Sequence, residues 1–229
     1  GGMAWSLGYA DGEHAPLAEI LAAIRRITRA AAVPVTVDFE AGYGDTPATV
    51  ATHVRNAIEA GVAGLNLEDG VRHTTLRPLA DAAARIAAAR EAAQRSGVPI
   101  FINARVDTYM VPWHTGEAER IEETVRRANA YLAAGADGIY PIGASDPALL
   151  KTLFARIDAP VNVAAQDGLP SLTELAKLGV ARVTTATRLA TLAYAAARDA
   201  AARIKASGEF TGLATAFGYA DLQKLFPHA

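Results

Sequence analysis

Six short runs of strand-forming residues, each followed by a stretch with helical character, constrain this 229-residue chain more than any other feature. The runs are 34–40 (PVTVDFE), 64–69 (GLNLED), 99–107 (PIFINARVD), 138–143 (GIYPIG), 160–165 (PVNVAA) and 182–187 (RVTTAT). Most are nearly continuous in apolar residues, as strands are when a parallel sheet is covered on both faces. The stretches between them place apolar side chains three and four apart. Val50, Val54, Ala57 and Ile58 form one stripe, and Ile121, Val125, Ala128 and Leu132 another. Gly61 and Gly135 mark where these two helices stop. Thr46-Pro47 and Asp146-Pro147 each put a capping side chain ahead of a first-turn proline.

Strands and helices alternating in this way predict a parallel α/β fold. No G-x-G-x-x-G follows the first strand, which argues against a dinucleotide-binding, doubly wound sheet. Polar residues instead gather at the C-terminal ends of several strands, the pattern of a (β/α)₈ barrel. Six strands are two short of that barrel, so the first βαβ segment is expected to be absent from this chain. One barrel domain is expected over 1–229. Within it, 189–229 reads as a helical extension whose Phe210, Phe217, Leu222, Leu225 and Phe226 need a partner subunit to pack on.

Composition removes several classes of function. Lys+Arg is 22 against 24 Asp+Glu, a formal charge of −2. That excludes a basic nucleic-acid footprint and a polybasic membrane anchor. The absence of cysteine excludes disulfides, thiolate zinc sites and a cysteine nucleophile. No apolar run approaches the ~18 residues of a membrane span, and no signal peptide is visible, so a cytoplasmic protein is expected. The lysines, at 151, 177, 205 and 224, all fall in helical or tail segments, whereas a Schiff-base aldolase needs one on a strand.

What remains is a chemistry of carboxylates. On an extended strand Asp38 and Glu40 point to one side, and the glycines of Ala41-Gly42-Tyr43-Gly44 then turn the chain. Glu68 and Asp69 end the next strand, about 4.8 Å away if the two are adjacent. Asp11, in a Gly/Asp-rich loop, can reach the same mouth. Acids this close repel, so some must take up protons or share a cation. Oxygen-only donors favour Mg²⁺ or Mn²⁺ over zinc. Taken singly, each acid reads equally well as a helix cap or a solvated loop residue. The third strand adds Asn103, Arg105 and Asp107. Arg105 can clamp a carboxylate or phosphonate, or simply neutralise the acids. Asn162 and Thr184 read either as donors to a substrate or as satisfied interior groups. His73 and His114 follow the Glu68 and Arg105 strands and read as solvated loop histidines or proton carriers.

Together WSLGYADGE (5–13), VDFEAGYGD (37–45), GLNLEDG (64–70) and NARVD (103–107), in this order and spacing, resemble the isocitrate lyase/phosphoenolpyruvate mutase superfamily from about Ala4 to Ala206. The resemblance implies a (β/α)₈ barrel with its last helix swapped between the subunits of a homodimer or homotetramer. It also implies a Mg²⁺ site (Mn²⁺ as an alternative) and a small 2-oxo acid substrate passing through a metal-bound enolate. On the matching positions Asp38 would bind the metal, with Glu40, Glu68 and Asp11 holding it through waters. Arg105 would contact the substrate's acid group, with Tyr43, Gly44, Asn162 and Thr184 lining the substrate. Arg105, Glu68 and Asp11 would carry the chemistry. The KKCGH motif of isocitrate and methylisocitrate lyases is replaced by Gly70–Leu79, with no cysteine, which argues against that activity. The position where mutases carry a histidine falls near Tyr140-Pro141. Oxaloacetate decarboxylase-like cleavage is therefore the expected reaction. Phosphonopyruvate hydrolase or mutase chemistry, or a non-catalytic 2-oxo acid binding protein, are the alternatives.

Overall fold

The computed structural model of the chain describes residues 1–226. The chain separates into two units, residues 3–185 and residues from 186 onward. The first contains α1 (Gly2–Ser6, its leading glycine apart), α2 (Leu17–Ala30), β1 (Thr36–Asp38), α3 (Pro47–Glu59), β2 (Gly64–Glu68), β3 (Gly70–Val71), β4 (Thr75–Leu76) and α4 (Leu79–Ser96). It continues with β5 (Phe101–Val106), α5 (Glu117–Ala133), β6 (Gly138–Pro141), α6 (Pro147–Phe154), β7 (Asn162–Ala164), α7 (Leu172–Leu178) and β8 (Arg182–Thr184). The second contains α8 (Arg188–Ser207) and α9 (Tyr219–Gln223).

The fold is parallel α/β, as expected. β1, β2, β5 and β6 pair in that order, all parallel. A parallel bridge between Ile139 and Val161 attaches β7, which pairs with β8. These are the six runs read from the sequence, each parallel to the next as in a barrel wall. The row curls back on itself: Arg182 of β8 donates from Nη2 to Thr36 Oγ1 of β1 at 3.2 Å.

One face of the sheet makes the core. Val37, Leu65, Leu67, Ile102, Ala104, Val106 and Ile139 are buried with Val50, Val54 and Ala57 of α3, Ile86 and Ala89 of α4, and Val125 and Ala128 of α5. Each Val, Leu or Ile taken from water there contributes about 1.5–3 kcal/mol. The helix signals hold. Thr46 Oγ1 caps α3 by accepting from Thr49 N, and Asp146 Oδ1 caps α6 by accepting from Leu149 N. Gly61 and Gly135 take φ of 96° and 105°, which favours glycine over other residues. The α5 stripe is rotated from the one expected, because Arg127 and Tyr131 are drawn inward and buried.

Two local features differ from the sequence reading. The strands are shorter than their apolar runs; β1 ends at Asp38 because Glu40 has turned to φ 49°. The loop after β2 is a small antiparallel hairpin, β3–β4, turned by Arg72 and His73 with φ of 50° and 54°. The two left-handed residues are the centre of a turn closed by Thr74 N donating to Val71 O at 3.0 Å, with Thr74 the third residue of the loop before β4. Among the described residues no helix is long and apolar enough to cross a membrane.

Candidate active site

Paired residues on parallel strands project to the same face. The register sets Asp38 beside Asn66 and Asn66 beside Asn103, and in the next row Glu68 beside Arg105 beside Tyr140. The Ile139–Val161 bridge carries that row on to Asn162, and the β7–β8 register to Arg182. The alternate residues are the apolar ones of the core. The sheet therefore has an apolar face toward α3, α4 and α5 and a polar face that gathers the chemistry.

Arg105 is the centre of that face. It is only 6% exposed. Its Nε and Nη2 grip Asp107 Oδ1 and Oδ2 at 2.7 and 2.8 Å, and its Nη1 lies 2.5 Å from Glu68 Oε2. Burial opposes the charge, but Asp107 and Glu68 more than compensate and hold the guanidinium protonated. Burial pushes Glu68 up to about 8; Arg105 pulls the other way, and Asp107, Asp38 and Glu40 push with the burial. Burial also raises Glu40, helped by Asp11 and Asp38, while Tyr43 donates to its Oε1 at 3.2 Å. Asp11 lies 2.7 Å from the chain's terminal ammonium. Four of the predicted acids thus feel one another across one site.

The β1 turn is held from below. Arg85 of α4, 1% exposed, donates from Nη1 to Gly44 O at 2.7 Å and Ala41 O at 3.3 Å, and from Nη2 to Asp45 O at 2.7 Å. Asp81 Oδ2 accepts from its Nε at 3.1 Å. This clamp fixes Glu40 and Tyr43, whose φ of 49° and 55° are strained for residues with a Cβ. Sequence reading missed it, since an arginine on a helix signals only a solvated face.

Several expectations need correcting. Asp69 does not face the cavity with Glu68. It is 1% exposed, accepts from Tyr131 Oη at 2.5 Å and Arg127 Nη1 at 3.1 Å through Oδ2, and from Asp107 N at 2.8 Å through Oδ1. Neighbours on a strand face opposite ways, and Asp69 becomes the brace behind Asp107. Asn103 is spent on Asn66, donating from Nδ2 to Oδ1 at 2.7 Å. The carbonyl of Gly44 belongs to Arg85. Thr184 is half-buried in β8, and its carbonyl accepts from Ala165 N at 2.7 Å. His73 is exposed, yet its Nδ1 comes within 3.8 Å of Asp107 Oδ2; His114 is exposed on its loop. Asn162 is 2% exposed with neither amide atom partnered.

Asp38, Glu40 and Glu68 were expected to gather as metal ligands. Among the described residues no group of three or more Asp, Glu or His side chains is set to hold a metal ion. Glu68 turns to Arg105 and Glu40 to Tyr43. The donor set nevertheless fits a hard divalent cation, because these carboxylates raise one another's proton affinity and a cation would relieve that. A groove of about 690 Å³ lies elsewhere, lined by residues of α3 and α4 that include Arg55, Glu59, Glu91 and Arg95. It contains none of these acids, so the chemistry rather than the volume locates the site.

Known proteins resemble the chain over most of its length. The phosphoenolpyruvate phosphomutase family model matches residues 1–205. An uncharacterised Mycobacterium tuberculosis protein, Rv1998c, is 38% identical over 190 residues, 82% of this chain and 67% of that protein. Oxaloacetate decarboxylase of Ectopseudomonas mendocina is 35% identical over 184 residues, 76% of this chain and 59% of that enzyme. A solved structure from Burkholderia cenocepacia J2315, described as a candidate phosphonomutase, is 43% identical with a TM-score of 0.81, covering 89% of this chain and 82% of that one. The chain thus spans about three fifths to two thirds of the length of these two curated relatives.

Proposed function

Because the chain belongs to the phosphoenolpyruvate phosphomutase family, in a superfamily of lyases and mutases, we propose that it is a Mg²⁺-dependent carbon–carbon lyase that decarboxylates oxaloacetate or a close 2-oxo acid. The observation that carries this reading is Arg105, buried and fixed between Asp107 and Glu68 beside a cluster of mutually repelling acids. Asp38 would hold the cation, with Glu40, Glu68 and Asp11 reaching it through waters. When bound, the cation supplies Lewis-acid polarisation of the 2-oxo group and offsets the charge that collects on its oxygen as the bond breaks. Arg105 uses three of its five N–H groups on Asp107 and Glu68, which leaves two for a substrate carboxylate. Asp107, braced by Asp69, keeps the guanidinium plane from turning. Glu68, raised to about 8, holds or releases a proton near neutral pH.

The likeness to a candidate phosphonomutase favours a second reading, cleavage of a carbon–phosphorus bond. Against it, Tyr140-Pro141 stands near the position where the resemblance places a histidine in the mutases. Pyruvate formation from oxaloacetate and phosphate release from phosphonopyruvate, each with and without EDTA, separate the two. EDTA-sensitive pyruvate formation without phosphate release is the expected result. Binding of 2-oxo acids with neither turnover would leave a binding protein. We also propose a second copy of this chain as partner for the C-terminal unit, whose α8 has no buried residue and exposes Leu189, Leu192 and Tyr194.

A further inference from the structure

The row that holds Glu68 and Arg105 continues through Tyr140 and Asn162, and the chemistry above leaves Tyr140 unused. Five tyrosines lie in residues 3–185. Four donate to a carboxylate: Tyr9 to Glu19, Tyr43 to Glu40, Tyr109 to Glu117 and Tyr131 to Asp69. Tyr140 makes no such bond among the described residues, although it is only 3% exposed. Nor does it belong to the contiguous apolar core that takes in Tyr131. Beside it in the row, Asn162 buries both amide atoms without a partner. An unsatisfied buried polar group costs about 1–3 kcal/mol, so Asn162, beside a Tyr140 hydroxyl that has no protein partner among the described residues, marks a place where something else supplies the hydrogen bonds.

The surroundings say what that something is. Arg105 precedes Tyr140 in the row and Arg182 follows Asn162, so two guanidinium groups flank two neutral donors. Burial raises the Tyr140 hydroxyl to about 12, against the pull of Arg105, so it is a donor at neutral pH. An anion is the matching ligand. We infer that Tyr140, with the Asn162 amide beside it, binds the departing carboxylate of a 2-oxo dicarboxylic acid, while Arg105 keeps the carboxylate that stays.

The division of labour follows from the reaction, and it rests on the decarboxylase reading. As the C3–C4 bond breaks, its electron pair stays with C3 and delocalises onto the 2-oxo oxygen. C4 leaves as neutral CO₂, and a proton from water then adds to C3. A carboxylate tied into an ion pair with arginine is stabilised most before it loses its charge, which raises the barrier. A phenol and an amide fix its orientation with less of that penalty.

The test is Y140F, which removes one oxygen and keeps the ring, with N162S as a second variant. Both are assayed for oxaloacetate turnover and for inhibition by pyruvate, which lacks the departing carboxylate. Loss of one hydrogen bond to a charged group predicts kcat/KM for oxaloacetate lower by about 10- to 100-fold, with the pyruvate inhibition constant within about twofold of the parent. Equal losses for oxaloacetate and pyruvate, or unchanged turnover in Y140F, overturn the assignment and leave the decarboxylase reading standing. Absence of turnover in the unaltered protein overturns both. If Y140F does not fold, N162S reads the same contrast.

Discussion

Arg105 carries most of the site's consequences at the scale of single residues. Its grip on Asp107 is a planar fork that an ammonium cannot reproduce. R105K is therefore expected to keep the charge and lose the geometry, lowering kcat/KM by about 100-fold or more in the oxaloacetate assay. Glu68 gives a pH signature. Its proton affinity in the folded protein is raised to about 8, above that of the unfolded chain. Between the ordinary carboxylate range and about pH 8 the folded form holds a proton that the unfolded form has released. Stability from this group is complete at the acid end and drains as pH rises through that window. Thermal melts in EDTA should show Tm falling from pH 5 to pH 8. Added Mg²⁺, or E68Q, should flatten the slope. A slope that neither treatment changes would place the titrating group elsewhere.

At the scale of elements, the site depends on α4 gripping a loop 40–44 residues earlier in the chain. Arg85 satisfies three backbone carbonyls of residues 41–45 that would otherwise be partly buried without donors. Replacing it with methionine keeps the stem and removes the donors. R85M is expected to cost about 2–4 kcal/mol in urea unfolding, the range for breaking one side of a buried charged network. Because Glu40 and Tyr43 ride on that loop, the Mg²⁺ needed for half-maximal activity should rise as well. R85K, which retains one charged donor, should recover part of that loss. A purely structural arginine would move the unfolding midpoint and leave the Mg²⁺ requirement alone.

Across the whole molecule, the two units bury their residues very differently. Residues 3–185 contain the buried core, whereas α8 buries nothing and the segment after it exposes Phe210, Phe217, Tyr219 and Phe226. A surface of that kind is covered in a stable protein. If a second copy covers it, L192E should shift the mass measured by light scattering from a dimer or larger species toward monomer. An unchanged mass in L192E, or a monomeric parent, would assign the apolar residues another partner.

Much of this was legible in the chain. The six parallel strands, their order, the capped helix starts and the glycine stops follow from local spacing, because a buried strand and an amphipathic helix each impose their own period on the residues that build them. The acids and Arg105 could be picked out for the same reason, as charges standing at the ends of apolar runs. What each polar group would face was not written locally. Glu68 and Asp69 are neighbours, yet one meets Arg105 and the other is locked behind it by Arg127 and Tyr131, residues 58 and 62 positions on. Arg85 gave no local sign at all, and Tyr140 entered only as the place where the resemblance sets a mutase histidine. Sequence sets which groups are charged and which face of a strand they leave by. Only the packing of distant strands and helices decides which partners they find, because hydrogen bonds and ion pairs act over a few ångströms of space and not along the chain.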